Sequence, residues 1–406
     1  MSVRHALASL EGNLCGDLGD APAAIRAFER ALPLAADNAE RCAAWIGIAA
    51  GYRVTSTVAP ALAALDRAEE LATRDGLDRE RSRIHYLRGN LHFAQGHGKA
   101  CEAEHARALE FAQRAGDLEC EAQALSGLGD AHYAQGKMRS AHAAFAGCVA
   151  ICERQGLARF AIMNEAMLAI IDTWMGPGDA ALERLGRARA VARELRHQLA
   201  EAMNEEVTGW MLVAHGEYDE AEGHLARGLE LSRNIGARRY ETMCFMLLAR
   251  VAWQRNDRAT AQERLRAAWA GSEQTSHGFI GAAVQGAMAL MAEDPGERQT
   301  ALLRGEALLR EGSIAHCHIW FNRDAIAASL SCGDWSAAER YAAALEDFTR
   351  PEPLPWTDFQ VAVARALAAA GRGRADRAAL LECRAVAEAL KDRAFVPAID
   401  AALANA

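Results

Sequence analysis

Six turns recur at a fixed step of 40 residues, and no other feature limits the fold so strongly. The turn residues are Gly96, Gly136, Gly176, Gly216, Asn256 and Gly296. Five residues after each turn stands a small one: Cys101, Ala141, Ala181, Ala221, Ala261 and Ala301. Four further on come His105, Phe145, Leu185, Leu225, Leu265 and Gly305, mostly large and apolar. Glycine or asparagine suits a helix end, because the chain there commonly enters the left-handed region. The small residues let two helix backbones approach, and the large side chain fills the space beside them. A hairpin of this kind cannot bury its apolar face alone and must stack on neighbours.

The pattern is clearest in residues 125–156. Leu125, Leu128 and Gly129 share one helix face, Gly136 breaks the chain, and Ala141, Phe145 and Cys148 recur on the next helix. This is the tetratricopeptide (TPR) pattern, and the expected fold is all-α. It is a right-handed TPR-like superhelix, an α-solenoid of about nine or ten hairpins. The step exceeds the roughly 34 residues of the common repeat, so helices or loops are longer by about one to two turns.

Three regions follow from this register. Residues 1–80 hold less regular hairpins, residues 81–311 the regular repeats, and residues 312–406 the last hairpins with a proline-rich connector at 351–355. In the first, Gly12, Gly19, Ala24, Phe28 and Ala31 carry the pattern, and Asp20 is a good N-cap ahead of Pro22. The second turns near Ser56. Later turns fall at Gly333 and at residues 371–374, with a short cap after residue 392.

A net charge of −9 argues against a large nucleic-acid footprint. Ten irregularly spaced cysteines read as buried free thiols in a reducing cytoplasm. The amino terminus lacks the apolar core of a secretory signal. The longest uncharged run, residues 274–292, contains His277, Gln285 and several glycines and falls where a first helix is needed, so no membrane span is expected.

Catalytic signatures are mostly absent. The turn around Gly96-His97-Gly98-Lys99 lacks the first glycine of a phosphate loop and has Ala100 where Ser or Thr would hold magnesium. His316 and His318 diverge by about 200° on a helix, so packing is expected there and no metal site. Glu205-Glu206 and Glu293-Asp294 read as solvated faces or helix ends. No cofactor is expected.

The candidate functional surface is the inner face, lined by the first helix of each hairpin. Counting from the turns places Tyr86, Asn90 and Phe93 there, then Ser126, Asp130 and Tyr133. The same count gives Glu206, Trp210 and Val213, then Met246, Arg250 and Trp253, then Trp320 and Arg323. Aromatic, methionine and arginine side chains are enriched where proteins bind partners. The alternative for each is interhelical core. Trp210, Arg250 and Trp253 are expected on one wall, where an arginine between indoles suits a carboxylate or phosphate. A protein or peptide partner is therefore expected. The other readings are a small-molecule or nucleotide sensor, and an enzyme in its own right.

Residues 316–359 resemble the carboxy-terminal TPR region of bacterial class III adenylate/guanylate cyclases that carry an AAA/STAND-type ATPase module. The particular stretches are His316 to Phe321, Gly333-Asp334-Trp335, and the prolines leading to Trp356. The resemblance implies a regulatory solenoid in signal transduction whose partner is a cyclase or ATPase protein. The family's cyclase domain and ATP-binding lysine have no counterpart here. The chain thus reads as a stand-alone relative, a truncated product, or a partner of a separately encoded enzyme.

Overall fold

The structure is a computed structural model describing residues 3–17, 20–55, 57–275 and 277–405, with Asp17 described in its backbone alone. Gly19 and Ser56, expected at the first two turns, lie outside the described residues. The described residues form 21 α-helices and no strand. The first eight are α1 (Val3–Asp17), α2 (Ala21–Ala31), α3 (Asn38–Val54), α4 (Val58–Asp75), α5 (Asp78–Ala94), α6 (Gly98–Ala115), α7 (Leu118–Ala134) and α8 (Met138–Gln155). Then come α9 (Ala158–Met175), α10 (Asp179–Glu194), α11 (Gln198–His215), α12 (Tyr218–Asn234), α13 (Arg238–Gln254) and α14 (Arg258–Thr275). A π turn at His277–Gly281 leads into α15 (Ala282–Met291) and α16 (Pro295–Gly312). The rest are α17 (Ala315–Ser331), α18 (Trp335–Thr349), α19 (Pro355–Gly371), α20 (Arg377–Leu390) and α21 (Val396–Ala404).

The 40-residue step has an inner half-step of 20. Left-handed backbone occurs at Gly96, Gly136, Gly216 and Asn256 within hairpins, and at Gly76, Gly116, Gly156, Arg196 and Gly236 between them. Helices of 16–18 residues joined by such tight turns account for the long repeat. Two expected turns differ. Gly176 is extended, with φ −177°, because Pro177 follows and excludes helical conformations from the residue before it. Gly296 is not a turn residue; it lies in the first turn of α16. The break falls before it, where Asp294 accepts the Glu297 N–H at 2.8 Å and Pro295, lacking an N–H, opens the helix.

The positions after each turn are core. Cys101, Ala141, Ala181, Ala221, Ala261 and Ala301 are all buried. The large side chains four residues on fill slots floored by glycine. A Cβ on Gly12 or Gly47 would stand 2.8 or 2.5 Å from the Phe28 ring, and one on Gly209 would stand 2.4 Å from Leu225. Gly305 inverts the rule: Phe321 arrives from α17 and occupies the space, so close that a Cβ would meet it at 2.0 Å.

The chain divides into two compact units, residues 1–132 with 147–156 and residues 133–146 with 157–406. In the first, α3 packs on α4 and α5, and α5 on α6, around Phe28, Ile46, Leu65, Ile84 and Leu91. In the second, α9, α11 and α13 pack side by side, each backed by the helix that follows it. No helix among the described residues is long and apolar enough to cross a membrane. The uncharged run at 274–292 holds the π turn and the ten-residue α15.

Candidate functional site

In the second unit, α11, α13, α15, α17 and α19 converge with residues 392–395 around one cavity of about 170 Å³. Seven residues expected on the inner face line it: Trp210, Val213, Met246, Arg250, Trp253, Trp320 and Arg323. Trp210 and Arg250 occupy equivalent positions one repeat apart, and Leu290 continues the ladder on α15. Carrying the same count one step further would have found Leu290. Trp356 and Phe395 complete the wall from elements that the repeat count does not reach.

Two arginines share one acid. Asp324 is fully buried and accepts from Arg250, and from Arg323 at 2.8 Å. Burial opposes the Arg323 charge, but Asp324, Asp392 and Tyr218 outweigh it and raise its pKa. Asp392 lines the cavity too, with Gln360 donating to it at 2.9 Å. Trp253 carries the Arg258 guanidinium over its face at 3.5 Å. Two donors in the lining, Nε1 of Trp320 and Nε of Arg323, are buried without a hydrogen-bond partner. Buried donors usually find acceptors, so this pair biases the cavity toward a group that accepts.

Behind the cavity five rings close a circuit. Tyr133 stacks on Trp174 at 6.1 Å, Trp174 meets Trp210 edge-on at 5.7 Å, and Trp210 lies 5.4 Å from Trp320. Trp320 lies 5.1 Å from His316, which returns to Tyr133 at 5.9 Å. His316 Nε2 is 2.5 Å from the Phe279 carbonyl, so that nitrogen donates, and Nδ1 accepts the Tyr133 hydroxyl at 2.9 Å. Desolvation keeps the ring neutral, with its pKa lowered to about 4, while the Phe279 bond works the other way. Its neighbour His318 stacks on Phe348 at 4.2 Å. Tyr133 is thus a buried ring in this circuit.

Of the remaining expected residues, Tyr86, Asn90, Phe93, Ser126 and Asp130 belong to the first unit and Glu206 to the second. Tyr86 on α5 tilts against His105 at 5.6 Å, and burial raises its hydroxyl pKa while Asn90 pulls the other way. Phe93 is half-buried one turn beyond Asn90. Asp130 on α7 is desolvated, and its carboxyl is pushed up to about 7. Glu205 and Glu206, read as a solvated face, are both buried on α11. The helix packs on both sides, so this exposed-looking pair is internal: Glu205 accepts from Arg193 at 2.8 Å and pairs with His224 at 2.5 Å, whereas burial raises Glu206 to about 8.

The fold and the cavity define a TPR-like α-solenoid. Its fold is similar to that of a Rap protein complexed with competence and sporulation factor, with 15% identity and a TM-score of 0.66 over 88% of this chain and 99% of that one. It is also similar to RapI in its apo form, at 13% identity and a TM-score of 0.57 over 92% and 99% of the two chains. The apo quorum sensor NprR from B. thuringiensis matches at 14% identity and a TM-score of 0.52 over 88% and 99%. No family model matches the chain, and no curated protein sequence matches it.

Proposed function

We propose that this chain is a non-catalytic binding module of cytoplasmic signal transduction, and that the cavity of its second unit receives part of a peptide or protein partner. The single observation that carries this reading is the lining itself: indoles beside two arginines, with two buried donors left unused. Such a surface offers an apolar group burial and an accepting or anionic group charge-assisted hydrogen bonds. Size separates the readings. A cavity of about 170 Å³ is close to the roughly 150 Å³ that takes benzene, and below the roughly 300–1,000 Å³ of sites that engulf drug-sized ligands. It suits one side chain or terminus of a longer segment better than a whole nucleotide.

The neighbouring structures add the kind of role, since one is complexed with competence and sporulation factor and another is a quorum sensor. A cyclase or ATPase partner is the finer reading, and it rests on the resemblance of residues 316–359 alone.

The test is tryptophan emission during titration with short synthetic peptides bearing acidic and aromatic residues. Saturable change is expected. Arg250→Lys keeps a cation beside Asp324 but loses the planar fork, so binding should weaken by roughly tenfold or more. Peptides that leave the emission unchanged, or bind the variant equally well, would overturn the assignment.

A further inference from the structure

The first helix carries an apolar stripe on its outer side. Val3, Leu7, Leu10 and Leu14 of α1 are 76, 60, 55 and 53% exposed, four of the ten exposed large hydrophobic side chains among the described residues. Their spacing of four, three and four residues is that of a coiled-coil seam. The opposite side of α1 already has its partners: His5, Ala8 and Gly12 are buried, with Gly12 against Phe28. No other helix among the described residues carries as many exposed large hydrophobic side chains as α1.

We propose that this stripe is a self-association surface on which α1 of a second copy lies antiparallel. Charge selects the occupant and its direction. Arg4 and Glu11 stand seven residues apart on one flank of the seam, while Ala6 and Asn13 stand on the other. A two-fold axis crossing the seam between Leu7 and Leu10 sets Val3 against Leu14 of the second copy, and Leu7 against Leu10. The same axis brings Arg4 of each copy to Glu11 of the other. A parallel pairing would place the charged flank against the uncharged one and lose both ion pairs. Glu11 is held on that flank by Arg30, which donates to its Oε2 at 2.5 Å. The interface is isologous, so one stripe completes itself without further partners. Four side chains on one helix cover less than the roughly 1,200 Å² of a stable complex, so the dimer is concentration-dependent.

Sedimentation equilibrium of the full chain over a range of concentrations tests this. A monomer–dimer equilibrium is expected, with Leu10→Glu shifting it at least tenfold toward monomer while the melting temperature stays unchanged, since the residue is exposed. Arg4→Glu should weaken the dimer, and the double variant Arg4→Glu/Glu11→Arg should restore it. A chain that stays monomeric at every concentration would overturn the proposal, as would a dimer indifferent to Leu10→Glu. A dimer that responds to Leu10→Glu but is not restored by the double charge reversal would overturn the antiparallel pairing.

Discussion

At position 105 a histidine stands where the next helices of the ladder carry Phe145, Leu185 and Leu225. It fits because Gly89 and Gly127 flank it so closely that a Cβ on either would come within 2.5 or 2.3 Å of the ring. Desolvation lowers its pKa to about 4, as it does for His316 and His318. Two carboxyls go the other way: burial raises Asp130 to about 7 and Glu206 to about 8. The signs follow from proton binding. Below 6.5 the unfolded chain takes up protons that the native histidines refuse until about 4, so falling pH removes stability across that window. The two carboxyls keep their protons in the native state while the unfolded ones ionise from 3.8 and 4.5, so rising pH removes stability until about 7 and 8. Between 6.5 and 8 only the carboxyl effect remains among these five groups. Stability should fall there by up to about 1.4 kcal/mol per pH unit for each proton. Glu206→Gln, neutral at every pH, should flatten the decline. Urea midpoints across that range decide it; an unchanged slope in the variant would show that Glu206 is ionised in the native protein.

At the scale of single elements, α8 shows a cap brought from far along the chain. Its first turn donates the Arg139 and Ser140 backbone N–H groups to Glu352 at 2.7 and 3.0 Å, and the Ser140 hydroxyl donates to the same carboxylate at 2.5 Å. Arg139 also reaches the Pro353 carbonyl at 3.1 Å. An acidic side chain at a helix amino terminus satisfies orphan donors and complements the dipole. The proline-rich stretch is therefore a docked strap, and Pro355, its last proline, already opens α19. Glu352→Ala should cost about 1–2 kcal/mol and speed hydrogen exchange at Arg139 and Ser140. Equal exchange in both proteins would mean water caps the helix as well. The sequence made the helices and their turns readable, because glycine and asparagine mark left-handed ends and small residues mark close approach. The half-step through Gly76, Gly116, Gly156 and Gly236 is legible on the same grounds, because glycine marks the left-handed turns between hairpins as well as those within them. Glu352 was not readable: periodicity fixes which face of a helix is buried, but not which distant segment covers its end.

At the scale of the molecule, the same limit separates the faces that repeat counting finds from the pairings that close the second unit. Counting brought Trp210, Arg250 and Trp253 to one wall, yet the acid that holds Arg250 stands 74 residues on. Tyr133 and His316 bond across 183 residues. The end of the chain closes the unit further: Lys391 reaches Asp179 at 2.6 Å, the Arg393 N–H donates to the Ala214 carbonyl at 3.4 Å, and Phe395 is buried in the cavity wall. In an open repeat array each hairpin leans only on its neighbours, and damage stays local. A unit closed this way couples its last segment to α11. Phe395→Ala removes a buried ring and should cost about 3–5 kcal/mol. The loss should surface at a distance: hydrogen exchange should rise in the last turn of α11 near Ala214, and tryptophan emission should shift to the red as water enters beside Trp210 and Trp356. If the loss is confined to α20 and α21 and α11 keeps its protection, the terminal segment only covers the cavity and does not hold the unit closed.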